Sequence, residues 1–342
     1  MTKLFIHTGI HKTGSTSFQI FLKRNNDVFE ANKIFRIKPL EDNGPTAHVF
    51  ANAFIKGDAA KIKAYKKALK TFMDQAKPDA NDTFVISSEE FDRLDATATK
   101  ALKKFFTPFF KTIKVGIYIR PHAALIDSQH SQQVREGFVK SRSDVFFRAC
   151  VKHARFVRLS EIADDWVKGF GRENVTVRSA QREDLYKRDI VSDIVKNFLD
   201  LELDKSFTRS PNVNNKLTNF GREALIHILH DPRMADLSFP ERRKILIKYF
   251  QTAPSTDMIV KSGNSTIDYS ILVASQSLFE KDYNDINANY FDGSLDYSLW
   301  YKKQIHAFDM YAKSISDTDT LDASDLKLAQ RQFWLFFQKV QA

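Results

Sequence analysis

The sequence predicts an α/β protein, a parallel sheet flanked by helices and followed by a helical C-terminal extension. Two observations carry the prediction. Short apolar runs alternate with helix-like stretches through roughly the first 200 residues, the pattern of strands joined by right-handed crossovers. Beyond about residue 205 the strand signals fade, while helix starts continue. The first strand begins by Leu4. Later strand candidates are Ile34–Ile37, Thr83–Ser87, Ile113–Ile119 and Asn174–Arg178. The lysine-rich stretch Ala59–Gln75 reads as a helix between two of them. From Asp144 to Phe170 runs one long amphipathic pattern, closed by Gly169 and Gly171. Helices are expected to start at Thr218 and at Ser238, where Ser238-Phe239-Pro240-Glu241 has the form of a capping box. We therefore divide the chain into a core over residues 1–205 and a helical part over 206–342, with no clear linker between them.

The first strand leads into the most informative segment, Leu4-Phe5-Ile6-His7-Thr8-Gly9-Ile10-His11-Lys12-Thr13-Gly14-Ser15-Thr16-Ser17. An apolar run ends in a loop with a glycine at each end and a lysine inside, and a helical pattern then opens on Ser and Thr. This is the layout of an anion cradle: converging amides at a helix N-terminus, close backbone approach and a cation above the bound group. The chain has only 11 Gly in 342 residues, so this pair is not background. In a G-x-x-x-x-G-K-[ST] loop the lysine follows the second glycine and reaches the outer phosphates. Here Ser15 takes that position and Lys12 precedes Gly14. An ammonium there suits the bridge between a 5′-phosphate and whatever that phosphate carries.

At these residues the chain resembles the sulfotransferases that use 3′-phosphoadenosine 5′-phosphosulfate (PAPS), whose 5′-phosphosulfate loop reads like His11-Lys12-Thr13-Gly14-Ser15-Thr16-Ser17. The resemblance implies a P-loop-type sheet and sulfuryl transfer to a hydroxyl or amine of a carbohydrate, glycolipid or small metabolite. It assigns Lys12 to the leaving oxygen and the loop to the phosphosulfate, with no metal required. PAPS also carries a ribose 3′-phosphate. Val115, Ile117 and Ile119 alternate as a strand would, Arg120 falls at its carboxyl end, and Ser128 lies eight residues on. Arginine offers a planar fork to phosphate oxygens and serine a hydroxyl, and the family pairs these two types at this spacing. The Arg-Lys-Gly motif that cytosolic members carry late in the chain is missing here, and Lys216 is the candidate for that wall. Thr83–Phe91, Asp165–Val175 and Asn212–Lys216 also look like a bacterial branch of the family.

For the acceptor proton, Glu89 and Glu90 follow a strand at its carboxyl end, where several carbohydrate sulfotransferases place a glutamate. A structural reading, in which both start a helix, stands beside it. His48 is the rival base, because imidazole titrates near neutrality. His227 and His230 share a helix face without an evident third ligand, so no metal site is expected.

Composition bounds the alternatives. The net charge of +10 suits a polyanionic cosubstrate, and equally nucleic acid, an acidic glycan or an anionic membrane. A single cysteine, Cys150, excludes an internal disulfide and reads as inert core. No span-length apolar run and no signal-like start are present, so a cytoplasmic enzyme is expected. Two other classes stay open. A small-molecule kinase is disfavoured by Ser15 in the lysine position. A non-catalytic nucleic-acid-binding module would interleave basic residues with exposed aromatics, so no nucleic-acid partner is expected. Phe333, Trp334, Phe336, Phe337 and Val340 form an aromatic stripe that reads as helical core. An acceptor lid, a homodimer contact and a peripheral membrane patch are its alternatives.

Overall fold

The computed structural model describes residues 2–10, 12–42, 44, 46–209, 217–253, 257, 259, 274–275, 277–295 and 323–341. The chain forms two compact units, both discontinuous in sequence. The first comprises Met1–Arg120, Arg155–Pro211 and Lys281–Leu295, and the second Pro121–Ala154, Asn212–Glu280 and Asp296–Ala342.

The first unit is built on five strands: β1 (Lys3–Gly9), β2 (Ile34–Arg36), β3 (Thr83–Ser88), β4 (Thr112–Ile119) and β5 (Val175–Ser179). Every pairing is parallel and the order is β2-β3-β1-β4-β5. Every residue of β1 after Lys3 is buried, as a central strand covered on both faces requires. On one face Phe5, Val85 and Tyr118 pack with α1 (Ser15–Arg24), α2 (Asn26–Ala31) and α9 (Ile190–Leu199) through Phe18, Phe21, Phe29, Ile194 and Val195. Helices α3 (His48–Ile55), α4 (Ala59–Ala76), α5 (Ala96–Phe106) and α8 (Leu159–Phe170) form a second layer dense in aromatic rings. Phe50 contacts the rings of Phe54, Tyr65, Phe105 and Phe106, and Phe84 those of Phe72 and Phe110. Helix starts follow the sequence signals. Asp58, Asp95 and Asp189 cap α4, α5 and α9 by accepting a first-turn amide.

One expectation is corrected. The amphipathic run from Asp144 to Phe170 is not one helix; it breaks into α7 (Ser143–His153), a short 3-10 turn at Arg155–Val157, and α8. The cause is distant in sequence. The Asp282 carboxylate accepts from Leu159 N, Ser160 N and Ser160 Oγ and so caps α8. Arg155 donates to the carbonyls of Asp92 and Leu94 and to Glu161 and Asp165, which pins the turn. Gly169 lies inside α8 against Thr99, and the helix ends at Gly171.

The second unit contains α6 (His122–Arg135), α7, α10 (Asn219–His230), α11 (Pro232–Ala235), α12 (Phe239–Thr252) and the helix Ala323–Gln341. Thr218 caps α10, and Ser238 with Glu241 completes the expected capping box of α12. Val134, Leu225, Leu229, Leu246, Tyr249, Phe333 and Phe337 share one core, with Trp334 and Phe336 partly buried against it. The aromatic stripe is therefore core as far as it is described; the Val340 side chain lies outside the described residues. Asp127 and Arg222 pair at 2.6 Å, both buried. Cys150 is buried too, and burial pushes its thiol up to about 12. Among the described residues no helix is long and apolar enough to cross a membrane.

Candidate functional site

The site follows from the strand order. After β1 the chain leads towards β2 on one side, and after β4 towards β5 on the other, so the connections that leave the carboxyl ends of these adjacent strands diverge. Open parallel sheets bind ligands at such a switch point. The loop after β1 and Arg120 after β4 both sit there.

The loop is tightly determined. Thr13 donates to the Ile10 carbonyl through its amide at 3.2 Å and its hydroxyl at 2.7 Å, closing the turn. Lys12 has φ 70, and Gly14, which precedes α1, has φ 95. A left-handed residue with a side chain costs about 1 kcal/mol, so surrounding contacts must hold Lys12. One of them comes from Arg120, whose Nη1 donates to the Lys12 carbonyl at 2.9 Å. Gly9 is required for another reason. A Cβ there would stand 1.7 Å from Ser15 Oγ, so strand and helix can meet only over a glycine.

The start of α1 is left without a side-chain partner or a carboxylate. No side chain caps the helix and no acidic residue occupies its first turn. The first amides of any helix lack intrahelical acceptors. The Thr8 and Ser15 hydroxyls are buried without a hydrogen-bond partner among the described residues. Buried hydroxyls normally find partners, so these two orphans, one before and one after the glycine-lined turn, single out this corner of the sheet. Thr16 and Ser17 are exposed on the first turn.

The end of β3 supplies the acids. Glu89 Oε1 accepts from Thr16 Oγ1 at 3.4 Å, bringing this carboxylate to the first turn of α1. Glu90 instead pairs with Arg93 at 2.6 Å, three residues on in the same 3-10 turn. His48 Nδ1 meets Ser88 Oγ at 2.9 Å, and Ser88 Oγ also accepts from Glu90 N. Asp42 holds His48 in place by accepting from His48 N, Val49 N and Thr46 Oγ1.

Beneath the loop lies a second polar layer that the sequence did not announce. His7 Nδ1 meets Ser87 Oγ at 2.9 Å, and Gln19 Nε2 donates to the same oxygen at 3.1 Å. Burial lowers the His7 pKa to about 3, so the ring stays neutral. Tyr118 and Arg178 both donate to the fully buried Asp193, at 2.6 and 2.7 Å. Desolvation, reinforced by Asp193, raises the Tyr118 hydroxyl well above its ordinary range. Paired serines at a strand end were the only hint of these contacts.

Lys12, Thr13, Gly14, Ser15, Thr16, Ser17, Arg120 and Glu89 thus gather at one mouth of the sheet, with His48 attached through Ser88. Ser128 is half-buried on α6, in the second unit. His11 and Lys216 lie outside the described residues. His227 and His230 are exposed on α10, and no group of three or more metal-ligating side chains occurs among the described residues. No protein-family model matches the chain, and no curated protein matches it.

Proposed function

We propose that the chain is a P-loop-type sulfotransferase that moves a sulfuryl group from PAPS to a hydroxyl or amine of a carbohydrate, glycolipid or small metabolite. The observation that supports this most is the loop between Gly9 and Ser15. Its lysine precedes the second glycine, its helix start is uncapped, and the Thr8 and Ser15 hydroxyls on either side of it lack a partner among the described residues.

When bound, the donor supplies an activated sulfur whose bond to the bridging phosphate oxygen breaks as the acceptor oxygen attacks. The residues of this chain then have separate tasks. The Lys12 ammonium balances negative charge at the bridge, and the amides of Thr13 to Thr16 with the Ser15 hydroxyl hold the phosphosulfate oxygens. Fixed donors of this kind act without reorganisation and carry much of the rate in group transfer. Glu89, beside Thr16, takes the acceptor proton, and Glu90 is tied to Arg93. Arg120 is the ribose 3′-phosphate ligand from this unit; Ser128 enters the proposal from the sequence alone.

Thermal-shift titration with PAP (the desulfated donor), AMP, and ATP with magnesium tests the reading through ligand linkage. Stabilisation by PAP well above that by AMP or ATP is the expected result. Preference for ATP with magnesium would select a kinase, and no response to any nucleotide would end both.

A further inference from the structure

We infer that one face of α4 is a docking track for an anionic polysaccharide, so that the acceptor is a glycan already bearing carboxylate or sulfate groups. The assignment of that glycan as acceptor rests on the sulfotransferase reading; the binding surface does not.

The helix buries Leu69 and packs Phe72 and Tyr65 inward against the rings of Phe84 and Phe50. Lys63, Lys66, Lys67 and Lys70 are exposed and fall within an arc of about 100° on the opposite side, from 100° per residue. Lys77 extends the row beyond the helix end, and Asp74 is the one acid on this face. None of the four lysines forms an ion pair with a described residue. Like charges spaced three and four residues apart destabilise a helix, yet this helix places four of them together and Asp74 a turn away. Such a row lowers its own repulsion when a polyanion lies along it and releases that polyanion's counterions.

The shape of the face selects the partner. It carries lysines only, without the arginine forks or exposed aromatic rings on which nucleic-acid bases stack. It also lacks an exposed large apolar side chain for insertion into a bilayer, because the apolar face of α4 is turned to the core. The track also starts towards the site's end of the sheet. Phe72, near the end of α4, packs on Phe84 at the start of β3, whereas Tyr65 in the N-terminal half packs on Phe50 of α3, the helix opened by His48 beside Ser88 at the end of β3. The N-terminal half of α4 therefore stands at the carboxyl mouth of the sheet, and the lysines run away from it.

The test compares the full chain with a variant carrying Lys63→Gln, Lys66→Gln, Lys67→Gln and Lys70→Gln, all good helix formers. Heparin is the probe, titrated from 50 to 300 mM salt. We expect at least tenfold weaker binding at 100 mM salt and a log–log salt slope smaller by about 3, from roughly 0.7–0.9 ions per contact. PAP affinity should not change, which separates loss of the track from loss of the fold. Unchanged heparin affinity in the variant overturns the track, as does equally tight binding of wild type to single-stranded DNA or phosphatidylserine vesicles. Failure of wild type to bind PAP would remove the donor proposal and leave the heparin result standing. With a glycan acceptor in hand, the variant should raise KM and spare kcat; a fall in kcat at unchanged KM would overturn the acceptor role.

Discussion

Arg120 has two relations to the loop that a single-site view would separate. It is the proposed partner of the 3′-phosphate, and it also donates to the Lys12 carbonyl, helping to hold a lysine in left-handed backbone. Arg120→Ala should therefore weaken PAP by about 2–5 kcal/mol, the usual cost of removing one partner of a buried charge pair. It should also weaken AMP, which lacks the 3′-phosphate, by roughly 1 kcal/mol for the lost hydrogen bond in the cradle. Calorimetric titration with both nucleotides measures the two effects, and an unchanged AMP affinity would dissociate Arg120 from the loop. The two glutamates differ as sharply. Glu89→Gln should lower turnover while PAP affinity stays nearly intact, because the carboxylate meets Thr16 rather than the buried loop. Glu90→Gln removes an exposed pair with Arg93, worth at most about 1 kcal/mol, and should leave turnover near wild type. The reverse pattern in steady-state assays would exchange their roles, and a collapse confined to His48→Ala would move the base to His48.

At the scale of elements, the junction of β1 and α1 is tightly packed. Gly9, at the end of the central strand, stands where a Cβ would overlap Ser15 Oγ at the start of α1, and both residues are buried. Gly9→Ala should cost about 1–3 kcal/mol by overpacking, seen as a lower midpoint of thermal unfolding, and should abolish PAP stabilisation by displacing the Ser15 hydroxyl. Gly44→Ala is the matched control, since a Cβ there meets nothing within 4 Å. Equal midpoints for the two variants would show that the junction relaxes.

For the whole molecule, buried histidines set the response to acid. Burial lowers His7 to about 3 and His130 to about 4, each below the ordinary value of 6.5. Between those limits the unfolded chain binds protons that the folded chain does not, so stability falls as pH drops below about 6.5. Each unit of pH costs up to about 1.4 kcal/mol per histidine. Going from pH 7 to 5, each ring should remove up to about 2 kcal/mol, read from urea unfolding at the two pH values. His7→Gln should flatten the first unit's share of that loss. A profile indifferent to the substitution would place its origin elsewhere.

The sequence by itself determined the coarse fold class, the places of the strands, the caps at Thr218 and Ser238, and the loop after β1 with Lys12 between its glycines. These are local signals: the apolar runs of a covered sheet, the hydroxyl that meets a first-turn amide, and glycines where backbone must bend or approach. Tertiary structure alone decided the strand order, and with it the neighbourhood of Arg120 and Lys12, 108 residues apart. It also decided which glutamate meets the first turn of α1, why the run from Asp144 to Phe170 breaks under the Asp282 cap, and that His7 is buried and neutral. Period and capping are fixed within a few residues of the chain. Pairing across a parallel sheet joins segments through crossovers whose length carries no address, so a contact at the sheet's mouth becomes visible only once the strands have found their order.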